Sequence, residues 1–291
     1  MAIFAVDAGG TRIKLGLVQG GEVLARTSID ARSDEGLAPA LPRIAAALQG
    51  LTDRPVEGVG LAFPSLVDGD RIVGDVGKYR DAPGIDLVAW ARDEFRAPFA
   101  VDNDARLATV GEWRYGAAQG ASDVVMVTLG TGIGTGVVSG GRVLRGRQGA
   151  AGILGGHMTA HVEGRPCPCG NLGCWETEAS TAALPVVGEG FRDYAAVFAA
   201  ARAGDAKAVR VRDRSLAVWG ALAVSLVHAY DPEILVFGGG VMASGEAVLA
   251  PIRDHVRRHA WTPGGAPRVV ASERGDDAAL VACEWLLKRD R

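Results

Sequence analysis

Two stretches of this chain, 120 residues apart, carry nearly the same sequence. Gly10-Thr11-Arg12-Ile13-Lys14-Leu15-Gly16-Leu17-Val18-Gln19-Gly20-Gly21-Glu22-Val23-Leu24 aligns without a gap on Gly130-Thr131-Gly132-Ile133-Gly134-Thr135-Gly136-Val137-Val138-Ser139-Gly140-Gly141-Arg142-Val143-Leu144, and 9 of these 15 positions are identical. Each copy follows an apolar run, Ile3 to Val6 in the first and Val124 to Leu129 in the second. Each then reads as glycine turn, strand, Gly-Gly turn, strand. The paired glycines suit two-residue hairpin turns, because glycine accepts positive φ at little cost. Any two glycine-rich hairpins look somewhat alike, but identity running through the second turn and its flanking valines argues for duplication. The period is too long for a solenoid. It predicts two similar lobes whose glycine turns converge on one ligand, with backbone N–H groups close to a phosphate chain.

The remaining pattern supports α/β lobes with mixed sheets flanked by helices. Helices are predicted at 37–49, 87–95, 105–113, 206–230, 246–259 and 276–287, and strands at 56–63, 99–101, 234–237 and 268–271. Glycines 116 and 120 interrupt the pattern, so an N-terminal lobe is placed at 1–117, joined by the closing helix 276–291, and a C-terminal lobe at 118–275.

A formal net charge of -3 over 291 residues, with no basic cluster, argues against a nucleic-acid or acidic-membrane partner. No stretch approaches the ~20 apolar residues of a membrane helix. The chain opens directly on a strand, without a leader pattern, so a cytoplasmic enzyme is the expectation.

Three elements suit a nucleotide. Asp7, at a strand end, can hold a hydrated Mg²⁺. Gly9, Gly10 and the Thr11 hydroxyl can donate to a transferred phosphate that Lys14 would neutralise. Thr131, Gly132 and Gly134 of the second copy suit the inner phosphates. Gly238-Gly239-Gly240, between a strand and a helix, forms a platform for the rest of the nucleotide. Each alone is weak, since a triple glycine is often only a tight turn; in this order they reinforce one another.

Cys167, Cys169 and Cys174 place three thiols within eight residues. Without a secretion signal such spacing points to zinc before disulfides. A closed tetrahedral site needs a fourth ligand, with His157 and His161 as candidates, and would be structural. Cys283 lies in an apolar run and reads as core. Asp104, after a strand and opening a helix, reads locally as an N-cap.

The D-A-G-G-T-R-I-K start, V-D-N-D-A, T-L-G-T-G-I-G-T-G, the cysteine cluster and V-F-G-G-G-V, in this order, resemble the ROK family of sugar kinases and sugar-responsive repressors, within the actin-like kinases. The resemblance spans essentially the whole chain. It implies two actin-like (ribonuclease H-like) lobes with nucleotide and sugar in the cleft between them. Repressor members carry a helix-turn-helix domain ahead of the first strand, for which this chain has no room, so the kinase branch is expected. The resemblance makes Asp104 the general base, Asn103 a sugar contact and His157 the fourth zinc ligand. Ser65, Asp75, His157 and Glu176 would also face the sugar.

Three departures affect the acceptor. Leu154 stands where the family commonly has a sugar-binding glutamate, Ser65 where glycine is usual, and Asp75, in a loose alignment, where asparagine is usual. A lost carboxylate–hydroxyl hydrogen bond changes discrimination about ten- to a hundredfold. The expected function is transfer of the γ-phosphate of Mg-ATP to a hydroxyl of a hexose-like sugar, glucokinase-like, by a homodimer or homotetramer. Alternatives are an amino sugar, fructose or cyclic polyol as acceptor, or a catalytically idle sugar-binding regulator.

Overall fold

In the computed structural model, residues 2–74 and 77–288 are described. Asp75 lies outside them. The chain divides into two compact units: residues 1–119, 145–151 and 276–291 form one, and residues 120–144 and 152–275 the other. Residues 145–151, which follow the second hairpin in sequence, thus cluster with unit 1.

Unit 1 is built on a five-stranded sheet of β1 (Ile3–Ala8), β2 (Arg12–Gln19), β3 (Glu22–Asp30), β4 (Val59–Phe63) and β7 (Phe99–Asn103), in the order β3-β2-β1-β4-β7. A small hairpin of β5 (Val67–Asp68) and β6 (Arg71–Ile72) stands apart. β1 to β3 are antiparallel, while β1, β4 and β7 run parallel. β4 and β7 are buried at every position, as expected of strands covered on both faces. On one side lie α1 (Leu41–Gln49) and α2 (Leu87–Phe95), whose apolar faces join Phe4, Val6, Ile13, Leu61 and Val101 in one core. Asp86 caps α2 by accepting from the Ala89 amide at 2.8 Å. On the other side, α3 (Asp104–Tyr115) packs on α9 (Ala278–Lys288). Their backbones approach closely because Gly111 of α3 has no β-carbon to meet the Ala278 carbonyl.

Unit 2 repeats the scheme. β8 (Val124–Leu129), β9 (Ile133–Ser139), β10 (Arg142–Val143), β11 (Ile234–Gly238) and β12 (Arg268–Ala271) order as β10-β9-β8-β11-β12, with the last three parallel. The hairpin turns share a backbone: φ is 64° and 77° at Gly20 and Gly21, and 55° and 71° at Gly140 and Gly141. The duplication is therefore structural as well as textual. Short helices α4 (Trp175–Ala179) and α5 (Leu184–Val187) precede α6 (Tyr194–Arg202), α7 (Ala206–Tyr230) and α8 (Glu246–His259). Asp193 and Asp205 cap α6 and α7. Trp219 of α7 is fully buried, stacks edge-on against Tyr194, and donates its indole N–H to the Ala179 carbonyl.

Candidate functional site

In unit 1 the chemistry-bearing residues gather at the carboxyl ends of the parallel strands. Register places Asp7 beside Ala62 and Ala62 beside Asp102, so the next-to-last residues of β1, β4 and β7 form a row. Open α/β sheets bind ligands at this edge.

At the end of β7, Asn103 rather than Asp104 is the helix cap. Its side-chain oxygen accepts from the Arg106 amide at 3.0 Å, and its backbone is extended. Asp104 is thereby the first helical residue. Its Oδ1 accepts from the Ala105 amide at 2.7 Å and from Asn103 Nδ2 at 3.0 Å. The same Nδ2 donates to the Ser65 carbonyl at 3.3 Å, and Ser65 Oγ donates to the Gly74 carbonyl at 2.6 Å. Burial raises the pKa of Asp104 above the ordinary carboxylate value; the Ala105 amide, the charge of Lys78 and the Asn103 amide oppose that shift.

Asp7 is pushed up to about 6, first by burial, with Lys14 lowering it and the charge of Asp104 raising it. A carboxylate in that condition is short of positive charge, which suits it to face a hydrated Mg²⁺. Lys14 Nζ lies 2.8 Å from Asp276 Oδ1 and 3.6 Å from Asp7 Oδ2. The Thr11 side chain is exposed on the turn. Gly9 has no room for a side chain, since a β-carbon there would lie 2.6 Å from the Arg12 carbonyl oxygen.

Asp102 carries no role in the sequence reading, yet it organises this edge. It is fully buried and accepts from Arg106 Nη1 at 2.7 Å and from Arg145 Nη2 at 2.5 Å. Arg106 also donates to the carbonyls of Gly149 and Ala151, tying residues 145–151 to the start of α3. The arginine spaced i,i+4 from the aspartate was the available sequence signal.

In unit 2 the second glycine turn is pinned by Thr181 and Ala182, whose amides donate to the carbonyls of Gly130 and Thr131. Gly134 pairs with Thr128 in the β8–β9 ladder. Glu176 Oε2 accepts from the Ile133 amide at 2.7 Å and occupies the space where a Gly132 side chain would be. Gly239 has φ of 88° and faces the Leu129 carbonyl, so glycine is required there by the fold, while Gly238 lies under the flexible end of Met126. Gly240 is open to a ligand.

His157, Cys167, Cys169 and Cys174 bring four ligand atoms within 4.8 Å of one another. Cys167 Sγ lies 3.5 Å from His157 Nδ1, and Cys169 Sγ 3.7 Å from Cys174 Sγ. A zinc tetrahedron with Zn–S bonds of ~2.3 Å has S···S edges of about 3.8 Å, so the spacing fits. All four cysteines of the chain are free of disulfides, and Cys283 is buried against Gly60. Burial, reinforced by the other two thiols, pushes Cys174 up to about 12, so a cation is needed to hold that sulfur as a thiolate. His161 is not among the clustered ligands. Bound zinc would hold residues 157–176 in place, and with four protein ligands it leaves no open position for chemistry.

Leu154, in the position noted from the family pattern, is 43% exposed.

Two units repeating one strand order, each with a glycine turn after its first parallel strand, give this chain the actin-like fold. Within that class the chain belongs to the ROK family, whose model matches residues 3–290. It is 34% identical to the glucokinase of Halalkalibacterium halodurans, over 98% of this chain and 94% of that one. Against the glucokinase of Thermotoga maritima the identity is 30%, over 99% and 98%. Its structure is similar to that of a ROK family glucokinase from Streptomyces griseus in complex with glucose and AMPPNP, with a TM-score of 0.84 and 32% identity, covering 99% of this chain and 100% of that one.

Proposed function

We propose that this protein is an ATP-dependent hexose kinase in which Asp104 is the general base. Phosphoryl transfer needs an aligned hydroxyl, a proton acceptor and compensation for charge on the phosphoryl oxygens. The observation that carries the reading is the state of Asp104, a carboxylate at the start of α3, held by the Asn103 amide and the Ala105 N–H, whose charge acts on Asp7.

In the reaction, Asp104 takes the proton of the sugar hydroxyl as that oxygen attacks the γ-phosphorus. The bond from the γ-phosphorus to the β–γ bridging oxygen breaks, and ADP leaves with the electron pair. Asp7 would hold the Mg²⁺ that arrives with the nucleotide, and the ion would supply charge neutralisation there. Gly9, Gly10 and Thr11 present donors to the transferred group. Thr131, Gly132, Gly134 and the open Gly240 are assigned to the nucleotide in unit 2.

Asn103, Ser65, His157 and Glu176 are assigned to the sugar. Asn103 acts chiefly by aiming Asp104, since its oxygen is engaged as the α3 cap. Glu176 has one oxygen engaged by the Ile133 amide, which fixes its direction. Leu154 narrows the acceptor, because a hydroxyl facing it gains no carboxylate partner. Glucose is the first candidate, since the similar proteins above are glucokinases; an amino sugar, fructose or a cyclic polyol are the others. A homodimer or homotetramer in the cytoplasm completes the proposal.

The test is ADP release from Mg-ATP with each of glucose, mannose, fructose, N-acetylated amino sugars and inositol. Sugar-dependent release by at least one hexose is expected. Release equal to the sugar-free background with all of them would refute the proposal.

A further inference from the structure

At Gly10 a side chain from another segment comes close to the phosphate turn. The φ of Gly10 is not positive, so no turn conformation demands glycine there. A β-carbon built on it would lie 2.6 Å from Lys78 Nζ and 2.9 Å from Lys78 Cε. The ammonium of Lys78 thus sits where the side chain of the central phosphate-turn residue would be.

The segment that carries it is tied to this turn by hydrogen bonds. Tyr79, the next residue, is 1% exposed and has a φ of 51°, a left-handed backbone that a tyrosine adopts only under strain. Its hydroxyl donates to the Gly9 carbonyl at 2.9 Å, and its amide donates to the Ser33 carbonyl at 2.8 Å. Ser33 Oγ in turn donates to the Gly10 carbonyl at 3.0 Å. Asp81 holds the far side, accepting from the amides of Leu37 and Ala38 at 2.6 and 2.8 Å. Such strain survives where the surrounding contacts over-determine it, and here they fix Tyr79 against Gly9 and Lys78 against Gly10, with the Lys78 charge acting on Asp104.

The two lysines of this edge divide the work. Lys14 is committed to Asp276 and Asp7. Among the described residues Lys78 closes no salt bridge, and its charge lies beside the turn and the base. From this placement, and resting on the kinase reading above, we infer that Lys78 is a second catalytic cation, touching the terminal phosphoryl group as it passes from nucleotide to sugar. Lysine offers a compact charge with three rotatable donors, suited to oxygens that move during transfer. As the acceptor oxygen bonds to phosphorus and the bridging oxygen departs, the hydroxyl proton goes to Asp104, and Lys78 neutralises charge on the equatorial oxygens without exchanging a proton.

Two variants and two measurements decide it. Lys78→Met keeps the stem and removes the charge, and Lys78→Arg restores a charge. With the best sugar of the panel, Lys78→Met should lose at least about a hundredfold in kcat, the lower end of the range for removal of one preorganised donor, with the sugar KM within threefold of wild type. Lys78→Arg should recover part of the loss. Calorimetry with Mg-AMPPNP and Mg-ADP needs no turnover: Lys78→Met should weaken the triphosphate analogue at least about fivefold and leave the diphosphate unchanged. An unchanged AMPPNP-to-ADP affinity ratio overturns the inference, as does a loss confined to the sugar KM, which would mark Lys78 as a sugar contact. A wild-type protein inactive on every sugar would fail the kinase reading, while the affinity ratio would still judge Lys78.

Discussion

Two acids, Asp7 and Asp104, stand at the ends of parallel strands with burial raising both. A base acts only when ionised, so activity should fall as pH drops. The acid limb of kcat/KM should lie above the ordinary carboxylate value of 3.8. A limb at or below that value would mean neither buried acid controls the rate. Asp7 also has a consequence for stability. Its folded pKa of about 6 exceeds the ordinary 3.8, so the fold holds this proton more tightly than the unfolded chain does. That contribution is complete below the ordinary value and is lost as pH rises through about 6. Relative to Asp7→Asn, the wild type should lose on the order of 2–3 kcal/mol between pH 4 and pH 7. Thermal unfolding of both proteins at the two pH values measures this; a constant difference would contradict it. At this scale the sequence marked Asp104 but misplaced the cap, because Asn and Asp in succession both suit an N-cap and only the backbone of Asn103 decides which one serves. Lys78 was hidden for another reason. A lysine in an aperiodic loop carries no signal until the fold lays it over Gly10.

Elements were most legible where periodicity was long or the ends were chemically marked. The helices at 87–95, 206–230 and 246–259 and the strand at 268–271 form as the pattern predicts. The helix at 194–202 went unpredicted, although Asp193 caps it and Tyr194, Val197, Phe198 and Ala201 form a buried stripe, because alanines fill most of its other positions and blur the contrast between its faces. The cysteine loop has little regular structure beyond the Thr159–Cys174 and Pro166–Leu172 bridges, so a metal held by its four ligands would add much to its order. Chelation should release one zinc per chain, counted by elemental analysis, and Cys169→Ser should bind less metal and melt lower. Full metal-free stability would remove the zinc from the account. Gly239 makes a second test. Its φ of 88° and the facing Leu129 carbonyl leave no place for a methyl group. Gly239→Ala should therefore cost at least 1 kcal/mol, read as a shift in urea midpoint, in line with the penalty for alanine at positive φ.

Across the whole chain, the 120-residue offset foretold two units with one strand order, because a duplicated hairpin imposes the same sheet edge twice. It gave no hint that residues 145–151 would cluster with unit 1, since the ties of Arg145 to Asp102 and of Arg106 to the carbonyls of Gly149 and Ala151 are long-range contacts without periodicity. Each unit has its own apolar core. Stripping the zinc should thus lower hydrogen-exchange protection in unit 2 more than in unit 1. The central claim is that the carboxylate heading α3 removes the proton of a sugar hydroxyl during attack on ATP. Single-turnover quenching of Asp104→Asn with Mg-ATP and the best acceptor tests it most directly. The account predicts sugar phosphate formed at least about a hundredfold more slowly than by wild type, at unaltered sugar affinity. Formation at the wild-type rate would contradict it.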